Sequence, residues 1–172
     1  MELKEGTVQL RHFRLEDKER LIELGNNSNI SDNLTDGFPH PYTDEAAIKF
    51  INETLQDDPI GRFAIEENGI YVGNIGLHPS KDIYRFNAEI GYFVGEPYWN
   101  RGIATKAIKI IARYGFEKMN LKRIYAGVFD YNPSSAHVLE KCGFQYEGLF
   151  KKALFKNGEF HDEIRYALVK ED

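Results

Sequence analysis

Residues 98–108 read YWNRGIATKAI, and the fold depends on how this stretch is read. A strand-like run, Arg85 to Val94, ends just ahead of it. From Ile103 onward the apolar residues recur at helical spacing, with Ile103, Ala107, Ile110, Ile111 and Tyr114 on one stripe. The segment is therefore a strand–loop–helix junction, with the helix expected to end near Lys118. The first turn of a helix has free N–H groups and a partial positive charge, so it attracts an anion. Gly102 and Ala104 keep bulky side chains away from that turn, which lets a diphosphate approach the amides. Two other phosphate-binding devices do not fit. A P-loop needs a Gly-Lys-Ser/Thr run and a dinucleotide fingerprint needs three spaced glycines, and this junction has neither.

Upstream of the junction, Thr7 to Phe13 alternates apolar and polar residues as a half-buried strand does, and Glu16 to Asn26 is patterned as a short helix. Asn26 to Pro41 is rich in Asn, Ser, Asp, Gly and Pro and reads as a long irregular loop. Thr43, followed by Asp44 and Glu45, is placed to cap a second helix carrying Ala47, Phe50, Ile51 and Leu55. Gly61 to Glu66 and Ile70 to Leu77 flank Asn68-Gly69, a hairpin signal.

Downstream, Lys122 to Phe129 is a strand, and Pro133 to Lys141 is a helix closed by Gly143. Phe144 to Phe150 and Phe160 to Val169 are strands around a turn at Asn157-Gly158. The order β-α-α-β-β-β-α-β-α-β-β has three consecutive central strands. It predicts an α+β fold: a mixed, mostly antiparallel sheet of about seven strands, with a parallel pair around the Ile103 helix and about four helices flanking it.

The 172 residues are read as one domain, 1–172, large enough for a core without disulfides or metal. A formal net charge of −5 argues against general nucleic-acid binding, which needs an excess of Lys and Arg. One cysteine, Cys142, excludes an intramolecular disulfide and fits a reducing cytosol. The first residues lack the apolar core of a signal peptide, and no stretch approaches the ~20 apolar residues of a membrane span. The expected location is cytoplasmic, with no membrane partner. No His, Cys or Asp grouping has metal-ligand spacing.

The run AEIGYFVGEPYWNRGIATKAI, Ala88 to Ile108, resembles the acyl-CoA-binding motif of the GNAT superfamily of N-acetyltransferases. That motif is written Gln/Arg-x-x-Gly-x-Gly/Ala. Gly102 and Ala104 match its last two defined positions, and Trp99 stands where Gln or Arg is usual. A second block, NPSSAHVLEKCGFQYEG (Asn132 to Gly148), resembles the superfamily's Asn-x-x-Ser and Glu-Lys-x-Gly-Phe segment through Asn132, Ser135, Glu140, Lys141, Gly143 and Phe144. VQLRHFRLED, FPHPYT and NGEFHDEIRYAL are similar to segments of the branch that acetylates ribosomal-protein N-termini. The resemblance implies the GNAT fold with its parallel pair splayed at the acyl-CoA site, and acetyl-CoA as cosubstrate without a metal. It also implies attack of an amine on the thioester with no acyl-enzyme.

On this resemblance the diphosphate is held around Asn100, Arg101, Gly102, Ile103, Ala104 and Thr105, with Asn132 and Lys141 also on CoA. Backbone N–H groups near Phe93 and Val94 meet the thioester carbonyl and the pantetheine chain, because a splayed strand leaves amides unpaired. Glu89 is the candidate base, sharing a strand face with Gly91 and Phe93; equally, it is a surface glutamate holding a basic side chain. The superfamily often protonates the departing thiolate with a tyrosine four residues before the Gly-Phe pair. Here that residue is Leu139, and Ser135 is the candidate in its place. Ser135 and Asn132 are also ordinary helix-capping residues. Tyr98 and Trp99 either wall the cleft or staple the helix start.

The acceptor expected first is the α-amine of a protein or peptide. Its reference pKa near 8 leaves more of it neutral than a lysine amine near 10.4. A polyamine, aminoglycoside or amino-acid derivative is the second reading, and an acyl-CoA-binding module without catalysis the third. The acids Asp32 and Asp36 in the N-terminal loop either attract a cationic amine or are merely solvated. The chain is expected as a monomer or homodimer.

Overall fold

The computed structural model describes residues 3–171. Among them, eight strands form one sheet: β1 (Lys4–Glu5), β2 (Val8–Arg11), β3 (Arg62–Glu67), β4 (Ile70–Pro79), β5 (Asn87–Val94), β6 (Arg123–Phe129), β7 (Gln145–Lys156) and β8 (Glu159–Val169). Their order is β1-β2-β3-β4-β5-β6-β8-β7, and only β5 and β6 pair in parallel. The helices are α1 (Asp17–Gly25), α2 (Ser28–Ser31), α3 (Asp44–Thr54), α4 (Ile103–Glu117) and α5 (Pro133–Lys141). The α+β architecture is the one expected, with one more strand and one more helix.

Both additions are short. β1 has two residues. α2 is a single turn inside the segment read as irregular, started by Asn27, whose side chain accepts from the Asn29 amide. The tight turns follow their residue types: Asn68 and Gly69 have φ 51° and 81°, and Asn157 and Gly158 have φ 51° and 83°. Positive φ at both central residues suits the right-handed twist of a two-residue hairpin.

Alternation along the strands gives the sheet two buried faces. On one, Ala88, Ile90 and Val94 of β5 and Ile124, Ala126 and Val128 of β6 pack with Ile103, Ala107, Ile108, Ile110 and Ile111 of α4. On the other, Phe93 of β5 packs with Leu21 and Leu24 of α1, Ile51 of α3, and Phe38. Each fully buried Ile or Leu contributes about 1.5–3 kcal/mol. The site therefore rests on a rigid layer. The far edge differs: β7 is mostly exposed and carries Tyr146, Leu149, Phe150 and Phe155.

Candidate active site

β5 and β6 pair only at Asn87↔Arg123, Ala88↔Ile124 and Glu89↔Tyr125, and past Glu89 they part. β5 nevertheless stays paired with β4 as far as Val94, and β6 stays paired with β8 as far as Phe129. The opening is therefore a wedge inside a continuous sheet. A bulge at this end of β4, between its pairs with Ile65 and Glu66 of β3, bends that strand. β5 follows β4, because a Cβ at Gly73 would collide with the Phe93 carbonyl oxygen and glycine alone permits so close an approach.

Gly95 N donates to Val72 O (2.8 Å) and Ser80 N to Asn87 O (2.9 Å), so the odd-numbered residues of β5 turn their main chain toward β4. Lys122 N donates to Phe86 O (2.8 Å), which turns the even-numbered residues toward β6. The Ile90 amide closes the last rung, at Glu89↔Tyr125, and beyond it the amides of Tyr92 and Val94 face the wedge with no strand opposite. Of the two amides expected as donors, only one faces the wedge. The Val94 amide does, but the Phe93 amide belongs to the β4 ladder and its ring to the core, and the second amide turned to the wedge is that of Tyr92. The Val94 carbonyl oxygen accepts from the Trp99 indole at 2.6 Å, so Trp99 closes the outer end of the wedge.

The start of α4 lies at the same end. Asn100 (φ 60°) and Gly102 (φ 74°) are both left-handed, which turns the chain sharply into the helix. Lys106 N to Gly102 O is the first helical bond, no side chain caps the helix, and its first turn holds no acid. The amides of Ile103, Ala104 and Thr105 are left for an external acceptor. A Cβ at Gly102 would meet no protein atom, so the space before the helix is open and a diphosphate fits there. The Ile103 side chain is buried, leaving only its amide for a ligand, whereas Ala104 and Thr105 are part-exposed. Arg101 is half-exposed, 3.4 Å from Glu67 and 5.5 Å from the Tyr98 ring centroid. Tyr98 also accepts a hydrogen bond from Arg20 at 2.7 Å, so it braces the loop.

α5 spans from the wedge to the phosphate end. At its start the Ser135 hydroxyl lies 2.8 Å from the Tyr92 hydroxyl, on the α4 side of the sheet. Burial pushes the Tyr92 phenol up to about 12, so it remains protonated and able to donate. Tyr92 is missed by motif reading because its partner is 43 residues away in sequence. Asn132 caps α5, its Oδ1 accepting from Ser135 N at 3.3 Å. At the other end Cys142 Sγ donates to Thr105 O at 3.5 Å, which sets exposed Lys141 beside the first turn of α4. The Cys142 thiol is raised by burial, as befits a packed side chain.

The opposite face carries Glu89, exposed and paired in register with His78 of β4. Burial, and then the charge of Arg62, lowers the His78 pKa, which favours neutral imidazole. The loop acids are engaged elsewhere: Asp36 pairs with Lys156 at 3.0 Å and Asp32 accepts from Asn157 at 2.9 Å. They clamp the loop to the β7–β8 hairpin instead of facing an acceptor. A cavity of about 440 Å³ lies elsewhere, lined in part by Arg11, Arg14, Asp17 and Arg20. Arg11 is committed there to Asp17 and Glu66, and Arg20 to Glu23, so it is mainly an ion-pair seam. Among the described residues no group of three or more His, Cys, Asp or Glu is placed to hold a metal ion, and no helix is long and apolar enough to cross a membrane.

Comparison with known proteins agrees with this geometry. Residues 7–145 match the family model of the acetyltransferase (GNAT) domain. YnaD of Bacillus subtilis, an uncharacterised N-acetyltransferase, is 30% identical over 174 residues, covering 100% of this chain and 99% of its own. The spermidine N(1)-acetyltransferase of Escherichia coli is 29% identical over 95% of this chain and 87% of its own. YdaF of Bacillus subtilis, a putative ribosomal N-acetyltransferase, is 34% identical over 61% of this chain and 57% of its own. Among solved structures, a GNAT-family acetyltransferase from Bacillus anthracis superposes with TM-score 0.85 at 30% identity, covering 98% of both chains. Spermidine N-acetyltransferase from Vibrio cholerae, solved with CoA and spermine, gives 0.80 at 28% identity over 95% of both chains. The chain belongs to the GNAT acetyltransferase family.

Proposed function

We propose that this protein transfers the acetyl group of acetyl-CoA to a primary amine by direct attack, with the α-amine of a peptide or protein N-terminus as acceptor. One observation carries the reading: the uncapped start of α4 opens onto the wedge between β5 and β6, so an anion site and a slot for an acyl arm are continuous. The amides of Gly102 to Thr105, with Asn100 and Arg101, would hold the diphosphate, and Lys141 and Asn132 would add contacts from α5. The Tyr92 and Val94 amides would hold the arm and the thioester oxygen, where negative charge grows during attack. Acetyl-CoA supplies the activated acyl group.

Glu89, on the open face, takes the proton that the amine must lose, directly or through water. Ser135 returns a proton to the departing thiolate, its hydroxyl oriented by Tyr92. A thiol of reference pKa near 8.5 leaves readily, so the missing tyrosine at Leu139 is tolerable. The α-amine acceptor is supported by its reference pKa near 8, which asks little of the base. The resemblance to the ribosomal N-acetyltransferase branch supports it too. A polyamine acceptor is the second reading, favoured by similarity to the spermidine enzyme along almost the whole chain.

The test is release of free CoA from acetyl-CoA with Ser-, Ala- and Met-starting peptides, spermidine, an aminoglycoside and amino acids, against a blank without acceptor. Turnover with peptides alone is the expected result, and turnover with spermidine alone moves the acceptor to a small amine. Glu89→Gln should cost about a hundredfold in kcat near neutral pH while acetyl-CoA still binds. An unchanged rate would remove Glu89 as base.

A further inference from the structure

Continuing the parallel register two residues past Glu89↔Tyr125 brings Gly91 of β5 level with Gly127 of β6, at the point where the strands have just parted. Both belong to the face that carries Glu89. A Cβ at Gly91 would meet only His78 Nε2, at 3.7 Å. Two glycines thus frame a window through the sheet, from the Glu89 face to the wedge where the acyl arm would lie. A central strand loses packing and backbone entropy at a glycine, so an exposed one at its middle asks for a reason.

The reason at Gly127 is Glu163. A Cβ there would overlap Glu163 Oε1, so only glycine lets this carboxylate lie across β6. Glu163 is on β8, opposite Phe129, and is only 9% exposed. Its two oxygens differ. Oε2 accepts from Arg165 NH2 at 2.8 Å and from Nε at 3.2 Å. Oε1 has no hydrogen-bond partner among the described residues, yet it is not among the atoms sealed from solvent without one.

Arg165 is itself held between two rings, 4.9 Å from the Tyr125 centroid and 4.6 Å from the Phe150 centroid, so Glu163 is fixed in place. A largely desolvated carboxylate with one oxygen aimed at an opening binds a cationic donor far more strongly than an exposed one does. The stacked pair Phe129 and Tyr131 stands at the same strand end, an aromatic wall suited to an ammonium.

We infer that Glu163 receives the ammonium of the acceptor at the window between Gly91 and Gly127, beside Glu89 and opposite the acyl arm. The inference rests on the acetyl-transfer reading above and names the residue that receives its acceptor's primary ammonium. Such a group comes from a peptide N-terminus or from a polyamine, and both enter the test. Glu163 binds the cation; Glu89 takes its proton.

The experiment is steady-state kinetics of the full chain with acetyl-CoA and either a Ser-starting peptide or spermidine, on Glu163→Gln and Gly127→Ala. Gln still accepts from Arg165 but carries no charge, and the alanine methyl displaces Oε1. Both variants should raise the acceptor KM about ten- to a hundredfold, the cost of one charge-assisted hydrogen bond, and leave the KM for acetyl-CoA unchanged. If Glu163 served only to brace Arg165, thermal stability would fall and both KM values would move together. That result overturns the inference, as does an acceptor KM within about twofold of the parent in a folded variant. Should Glu163→Gln fail to fold, Gly127→Ala decides by the same reading. Failure of the parent enzyme to turn over any amine is a different outcome: it removes the acetyl-transfer reading, and the inference with it.

Discussion

Helices α3 and α4 each lay an apolar stripe against the sheet, on opposite faces, and their first turns are built in opposite ways. α3 is closed. Thr43 caps it through the Ala46 amide at 3.2 Å, and Asp44 and Glu45 place negative charge in its first turn. α4 has Gly102 at the capping position, no side-chain cap and no acid. A Thr, Asp or Ser in place of glycine at a capping position ordinarily adds only about a few tenths of a kcal/mol, so α4 forgoes little stability by leaving its amides free. The helix proposed to meet an anion leaves its amides and dipole free, and the helix that only supports the core satisfies them from within. α5 lies between the two: Asn132 caps it at a longer 3.3 Å, and Ser135 in the same turn is turned to Tyr92.

The largest effect is expected from filling the space before α4. Gly102→Trp should weaken acetyl-CoA binding on the order of a thousandfold by calorimetric titration, because its side chain occupies the diphosphate position. A Cβ there meets no protein atom, so the fold should survive apart from the strain of a left-handed tryptophan. Intact affinity would mean that α4 does not hold the phosphates. Giving α4 the acidic first turn of α3 is gentler. Thr105→Glu should lower acetyl-CoA affinity about tenfold by repulsion while slightly raising the melting temperature, since a carboxylate suits a free helix start. If affinity and stability fell together, the two helix starts would differ in packing and not in purpose.

The reverse change, Thr43→Ala in α3, should cost about 1 kcal/mol, or roughly 3 °C in a thermal melt, and leave acetyl-CoA affinity alone. The smallest effect concerns the contact at the start of α5. With its phenol held at about 12, Tyr92 is disfavoured as an anion in the folded protein. Its contribution is complete below the ordinary tyrosine value near 10 and is lost as pH rises from there toward 12, because only the unfolded chain releases the proton in that window. Tyr92→Phe should therefore make the alkaline loss of stability shallower between about pH 10 and 12, as read by denaturant midpoints across that range. Tyr42, also raised to about 12 by burial, and Tyr71, Tyr114, Tyr131 and Tyr166, raised by burial as well, should keep the remainder of the slope.

Local rules account for what could be read in advance. The α4 stripe, the Thr43 cap, the Asn68-Gly69 and Asn157-Gly158 turns and the Pro133–Lys141 helix follow from spacing and from residue-specific backbone preferences. Gly102 was legible for the same reason, since a left-handed residue before an apolar helix is a short-range feature. Asn100, Arg101, Asn132, Ser135 and Lys141 came with the motifs that surround them. Phe93 was taken with Val94 because neighbours in a strand look alike in sequence. Which of two adjacent amides turns toward a gap is decided by pairing with β4, and no single strand contains that information.

By itself, then, the sequence determined the element order, the mixed sheet, the helix start open to an anion and the family to which these belong, because each depends on residues within a few positions of one another. Tertiary structure alone decided where β5 and β6 part, that Tyr92 meets Ser135, that Asp32 and Asp36 serve the β7–β8 hairpin, and that Gly127 lies beneath Glu163. Each of these joins residues far apart in the chain, and their distance is set by strand register and twist, which exist only once the sheet has formed.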